Sequence, residues 1–120
     1  MLRLHITRKW VPWPEAKCRL LLSPLTVSLR AKLSKECTVP AGPRGKVEFD
    51  SERYQRRVGE ECVHGWDGEI IDDATGQPLA FSPAARDALM DDSQASDFVF
   101  ASATNLGHLV DKDVVAAGNA

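Results

Sequence analysis

No stretch of the chain approaches the roughly 20 consecutive apolar residues that a membrane helix needs; runs such as Leu20-Leu21-Leu22 stop at once, here on Ser23 and Pro24. Cysteine is scarce and odd in number. Cys18, Cys37 and Cys62 cannot all pair, which excludes a disulfide framework and predicts buried apolar thiols in a reducing compartment. The first nine residues lack the apolar core of a secretory signal, so a cytoplasmic protein is expected. Positive charge is nearly missing from the second half. Residues 61–120 hold two Lys or Arg against eleven Asp or Glu, whereas residues 1–60 hold thirteen against six, a split hidden by the net charge of −2. Such opposed fields steer polar partners and are compatible with head-to-tail association into a homo-oligomer, but they cancel internally if the halves pack together. An acidic half and scattered cations without an aromatic motif argue against nucleic acid as a partner.

What remains is an ordinary globular composition, 43% hydrophobic and 27% charged over 120 residues, enough for one core. The expected organisation is a single domain over residues 1–109 and a flexible tail over 110–120. Alternation of Leu2, Leu4 and Ile6 with polar residues predicts a first strand, and residues 15–22 predict a second, antiparallel to it. Between them Pro12 and Pro14 predict an extended connection. Ser23-Pro24 has the chemistry of a helix start, a hydroxyl cap followed by proline at the first helical position. Leu25, Leu29, Leu33 and Cys37 then mark one stripe. Residues 40–45 read as a breaker-rich loop. A second helix, capped by Asp50 or Ser51, is predicted to about residue 64, and residues 65–77 as an ordered, turn-rich loop. Ser82-Pro83 repeats the start signal for a short third helix, and a fourth is predicted over 93–109, weakened by Gly107. The fold class is therefore α+β and mostly α: a small N-terminal antiparallel β ribbon followed by about four helices.

Motifs that would carry catalysis or a metal are thin. Cys62 and His64 invite a thiol or metal reading, but structural zinc sites need two close ligand pairs, and residues two apart on a helix point about 200° apart. The carboxylates from Asp67 to Asp73 lack the EF-hand pattern, whose twelfth position would fall on Pro78. There is no phosphate loop, dinucleotide fingerprint or nucleophile elbow. No catalytic residue, cofactor site or metal site is assigned. Tryptophans are more informative, because indoles anchor interfaces as well as cores. Trp10 and Trp13 flank Pro12 and are candidate partner contacts, as is the acidic pair Asp91 and Asp92; packing of both indoles over the helices is an equal alternative. Trp66 is expected to lock the following loop.

The segment over residues 63–82 carries a resemblance. It places Trp66 and Gly68 at the end of a helical region, then an acidic turn with Asp72, Asp73 and Gly76, then Pro78-Leu79-Ala80-Phe81-Ser82 opening a helix. This arrangement, with Leu89-Met90-Asp91 after it, resembles a recurring segment of small phage tail assembly chaperones over roughly residues 54–106. The resemblance implies a non-enzymatic protein of a tailed phage or prophage, acting in the bacterial cytoplasm. Its expected partners are the tape measure protein and tail tube subunits, with no nucleic acid and no membrane. Trp66, Gly68, Gly76, Pro78, Phe81 and Ser82 are expected to shape the segment. A structural head-tail or tail-tip component retained in the virion is the alternative, and a thiol or metal enzyme built on Cys62 and His64 a third.

Overall fold

A computed structural model describes the backbone of residues 8–118 and the side chains of residues 8–109. In chain order the elements are β1 (Lys9–Trp13), a 3-10 turn (Pro14–Ala16), β2 (Cys18–Leu22), α1 (Val27–Glu36), β3 (Thr38–Pro40), β4 (Val47–Phe49), α2 (Ser51–Cys62), β5 (Val63–Gly68), α3 (Pro83–Asp91) and α4 (Ser93–Gly118). The fold is α+β and mostly α, with an antiparallel ribbon near the N-terminus and four helices.

The strand expected from the alternation of residues 2–6 lies outside the described residues. The first strand of the ribbon is β1, the proline-bearing segment expected to be a connection. Pro12 is tolerated because β1 is an edge strand, so its missing N–H costs no ladder bond on the open side. Pro14 then starts the 3-10 turn, and Lys17 in the left-handed region (φ 53°) returns the chain into β2. A third strand, β5, pairs with β2 to give the order β1-β2-β5. Val63-His64-Gly65-Trp66-Asp67-Gly68 was expected to leave the second helix for a loop. Its glycines hide the strand, and only pairing with the apolar β2 makes it one. Gly68 (φ 110°) fits where a Cβ would lie 2.7 Å from the Cys18 Cα and from the Lys17 carbonyl oxygen.

Helix α1 starts three residues later than Ser23-Pro24 suggested. Thr26 is its cap, accepting the Leu29 N–H at 3.2 Å. Ser23 is diverted: its hydroxyl donates to the Glu61 carbonyl at 3.0 Å and its N–H to the Cys62 carbonyl at 2.9 Å, tying β2 to the end of α2. The stripe itself holds, with Leu25, Leu33 and Cys37 fully buried and Leu29 packed at the cluster's edge. The loop over 40–45 is the tip of a hairpin made by β3 and β4. Asp50 caps α2 and Ser82 caps α3 as expected, each accepting a backbone N–H three residues on.

One side of the sheet carries Leu20, Leu22 and Val63 into a cluster with Met90 of α3 and Val99 of α4. A second cluster joins Leu25, Leu33, Val58, Cys62 and Ala103. Helix α4 serves both, and its backbone runs to Gly118, past the end expected near Leu109. Gly107 is the reason it passes Leu25 so closely. A Cβ there would stand 2.0 Å from the Leu25 carbonyl oxygen, so the residue read as a helix weakener is what allows the crossing. Arg57 staples α2 to α1 through Glu36, is held in place by Glu60 and Glu61 of its own helix, and its guanidinium holds the Glu36 carboxyl below the usual range.

Candidate partner-binding site

The segment over residues 63–82 folds as one bonded unit. The Trp66 indole N–H donates to the Leu79 carbonyl at 2.8 Å, and the ring meets Phe81 edge to face with centroids 5.1 Å apart. Between these contacts the chain doubles back. Ile71 bridges Pro78, Leu79 N–H donates to Ile70 O, and Asp72 accepts the Ala74 N–H on its side chain while its carbonyl takes the Gly76 N–H at 2.7 Å. Gly76 sits at φ 69°, the left-handed geometry such a turn requires. Ser82 then caps α3 through the Ala85 N–H at 3.0 Å. Trp66, Gly68, Gly76, Pro78, Phe81 and Ser82 thus each hold a place in the same hairpin-like excursion, and the excursion presents Ile71 to solvent, half exposed.

The two N-terminal tryptophans separate onto opposite faces of the sheet. Trp10 points away from the core, 44% exposed, beneath the Arg19 guanidinium at 4.4 Å; Arg19 also pairs with Asp67 at 2.9 Å across β2 and β5. This row joins the basic and acidic halves of the chain. Trp13 faces the helices and stacks flat on Phe98, centroids 4.7 Å apart and planes 8° off parallel. One face of its indole is therefore taken by the fold. The acidic pair divides as well. Asp92 caps α4 by accepting the Ala95 N–H, whereas Asp91 lies with Glu52 and Arg56 beside α2.

Trp13 and Asp92, 79 residues apart, meet along one open groove of about 350 Å³ between the 3-10 turn, the end of β5 and the α3–α4 corner. Apolar side chains make up part of its lining: Ile70, Ile71, Leu89 and Ala95 join Trp13 there. Glu15 and Glu69 stand on its rim with Asp92. Composition and spacing give no reason to single out Glu15; Glu69 stands out only as one of the carboxylates from Asp67 to Asp73, Leu89 only in the resembling segment, and Ile70-Ile71 only as the apolar piece of a polar loop. A second exposed apolar surface is the β3–β4 hairpin, where Val47 is 67% and Phe49 48% exposed, the latter leaning on Tyr54.

Cys62 and His64 both bond to Ser23, Cys62 through its carbonyl and His64 through its ring. Helix α2 ends between them, and the His64 Nε2 lies 2.8 Å from the Ser23 hydroxyl. Burial pushes the Cys62 thiol up to about 11, against the smaller opposing effect of a Ser23 hydrogen bond. Cys62 is fully buried and protonated, the opposite of an activated thiolate. Burial also lowers His64, helped by the positive charges of Arg8 and Arg86. Among the described residues no three His, Cys, Asp or Glu side chains gather as a metal site, and no helix is long and apolar enough to cross a membrane.

No family model matches this chain, and comparison with curated proteins and with solved structures finds no match either.

Proposed function

We propose that the protein is a non-enzymatic chaperone of phage or prophage tail assembly, which binds the tape measure protein in the bacterial cytoplasm and helps recruit tail tube subunits. The observation that carries the reading is the segment over residues 63–82. Its likeness to tail assembly chaperones rests on a spacing of tryptophan, turn glycine and Pro-Leu-Ala-Phe-Ser, and in this chain those residues bond to one another through Trp66, Leu79, Phe81 and Ser82. A chaperone of this kind needs accessible apolar surface more than reactive groups. The groove at Trp13 and Ile71 and the exposed Val47 and Phe49 offer such surface, and the Cys62 thiol is withdrawn into the core.

A chaperone leaves its client; a structural component stays. Mass spectrometry of purified particles and of assembling lysates distinguishes the two. The chaperone reading expects peptides of this protein in the lysate and none in finished particles, and stoichiometric peptides in finished particles would establish the permanent component instead.

A further inference from the structure

The groove that joins Trp13 to Asp92 has a composition that selects its occupant. Its lining combines the apolar side chains of Trp13, Ile70, Ile71 and Leu89 with the polar Gln94 and the carboxylates of Glu15, Glu69 and Asp92, and among the described residues no Lys or Arg lines it. Ile71 is 50% exposed there, and all three rim residues are exposed. Carboxylates grouped at the edge of a low-dielectric floor focus a negative potential over it, which attracts a cation and repels an anion of otherwise equal apolarity. None of the three is neutralised by an ion pair within the described residues; the acidic groups that do pair are Glu36, Glu60, Glu61, Asp67 and Asp87. The opposite face of the same sheet is different, because there Arg19 answers Asp67.

From this we infer that the groove is the client-binding surface and that it takes a basic amphipathic helix, whose apolar stripe lies on Trp13, Ile70, Ile71 and Leu89 and whose flanking Lys or Arg residues reach Glu15, Glu69 and Asp92. The inference rests on the chaperone reading for the helical character of the client, and on the groove alone for its charge. Apolar burial supplies the affinity, and the rim supplies orientation and discrimination. The hairpin at Val47 and Phe49 is the rival surface; charges of both signs, Lys46 and Glu48, neighbour its apolar residues in sequence, and one cation, Lys17, stands between the groove residues Ala16 and Cys18.

Two synthetic helical peptides of about 18 residues with the same leucine stripe, one flanked by lysines and one by glutamates, test this on the full chain. The lysine peptide is expected to bind at least about tenfold more tightly than the glutamate peptide, moving the backbone amide signals of residues 69–71, 89 and 95. In the triple variant Glu15→Gln, Glu69→Gln, Asp92→Asn the preference should vanish; asparagine keeps the α4 cap, so the fold is preserved. Ile71→Asp, at an exposed position, should abolish binding of both peptides. Equal binding of the two peptides, unchanged preference in the neutral-rim variant, no binding, or signals centred on Val47 and Phe49 would each overturn the proposal. Because the probe is a peptide, such a failure removes the groove and leaves the chaperone reading to be decided with the long client itself.

Discussion

The indole N–H of Trp66 donates to the carbonyl of Leu79 thirteen residues on, at 2.8 Å, and this bond closes the excursion over residues 67–78 onto the end of β5. Phenylalanine at position 66 would keep most of the ring contact with Phe81 and leave that carbonyl without its donor. Trp66→Phe is expected to cost about 1 kcal/mol, the net contribution of a typical hydrogen bond, since the bond is only partly buried. Urea denaturation should show the midpoint falling with little change in slope, and an unshifted midpoint would mean the bond does not hold the segment.

Gly107→Ala sets two effects against each other. Alanine favours a helix over glycine by about 1 kcal/mol. The new Cβ, however, meets the Leu25 carbonyl oxygen at 2.0 Å, and a backbone neighbour cannot rotate aside. A net loss of about 1–3 kcal/mol is expected. Asn105→Ala, on the exposed side of the same helix, is the control and should be neutral or mildly stabilising.

Acid should weaken the fold through His64. Its folded-state value lies below the ordinary 6.5, because burial and then Arg8 and Arg86 disfavour the imidazolium. The neutral form is therefore the folded form. Above pH 6.5 both states are neutral and the residue contributes no pH dependence. As pH falls below 6.5 the unfolded chain takes up the proton first, so stability drops until the folded-state value is passed. His64→Gln should flatten the urea midpoint between pH 7 and 5 relative to the parent protein.

Thiol reactivity should report folding. Cys18, Cys37 and Cys62 are buried, and burial raises the pKa of each. An alkylating reagent at pH 8 is expected to modify the native protein slowly and all three thiols at once in urea. A fast-reacting Cys62 in the native protein would reopen the thiol-enzyme reading.

Local chemistry was the legible part of this sequence. Asp50 and Ser82 cap the helices they precede, and the Leu25, Leu29, Leu33, Cys37 stripe packs inward, because these signals are complete within a few residues. Ser23 carries the same cap signal and fails, since a carbonyl 38 residues away claims its hydroxyl. β5 was hidden for a related reason: a glycine-rich hexapeptide becomes a strand only beside β2. The site divides in the same way. Trp13 and Asp92 stand out singly as an indole and an acid, but their meeting over Ile70 and Leu89, with Glu15 and Glu69 at the rim, depends on tertiary packing that no short-range pattern encodes.

The proposed chaperone role requires that this chain keep a long helical tail protein soluble. Co-expression with the longest helical product encoded beside it, followed by pull-down at low and high salt, tests this directly. The long protein is expected to become soluble and to co-purify, more strongly at low salt and still detectably at high salt, since the carboxylate rim is screened and apolar burial is not. A long protein that stays insoluble, or is soluble but never retained, would contradict it.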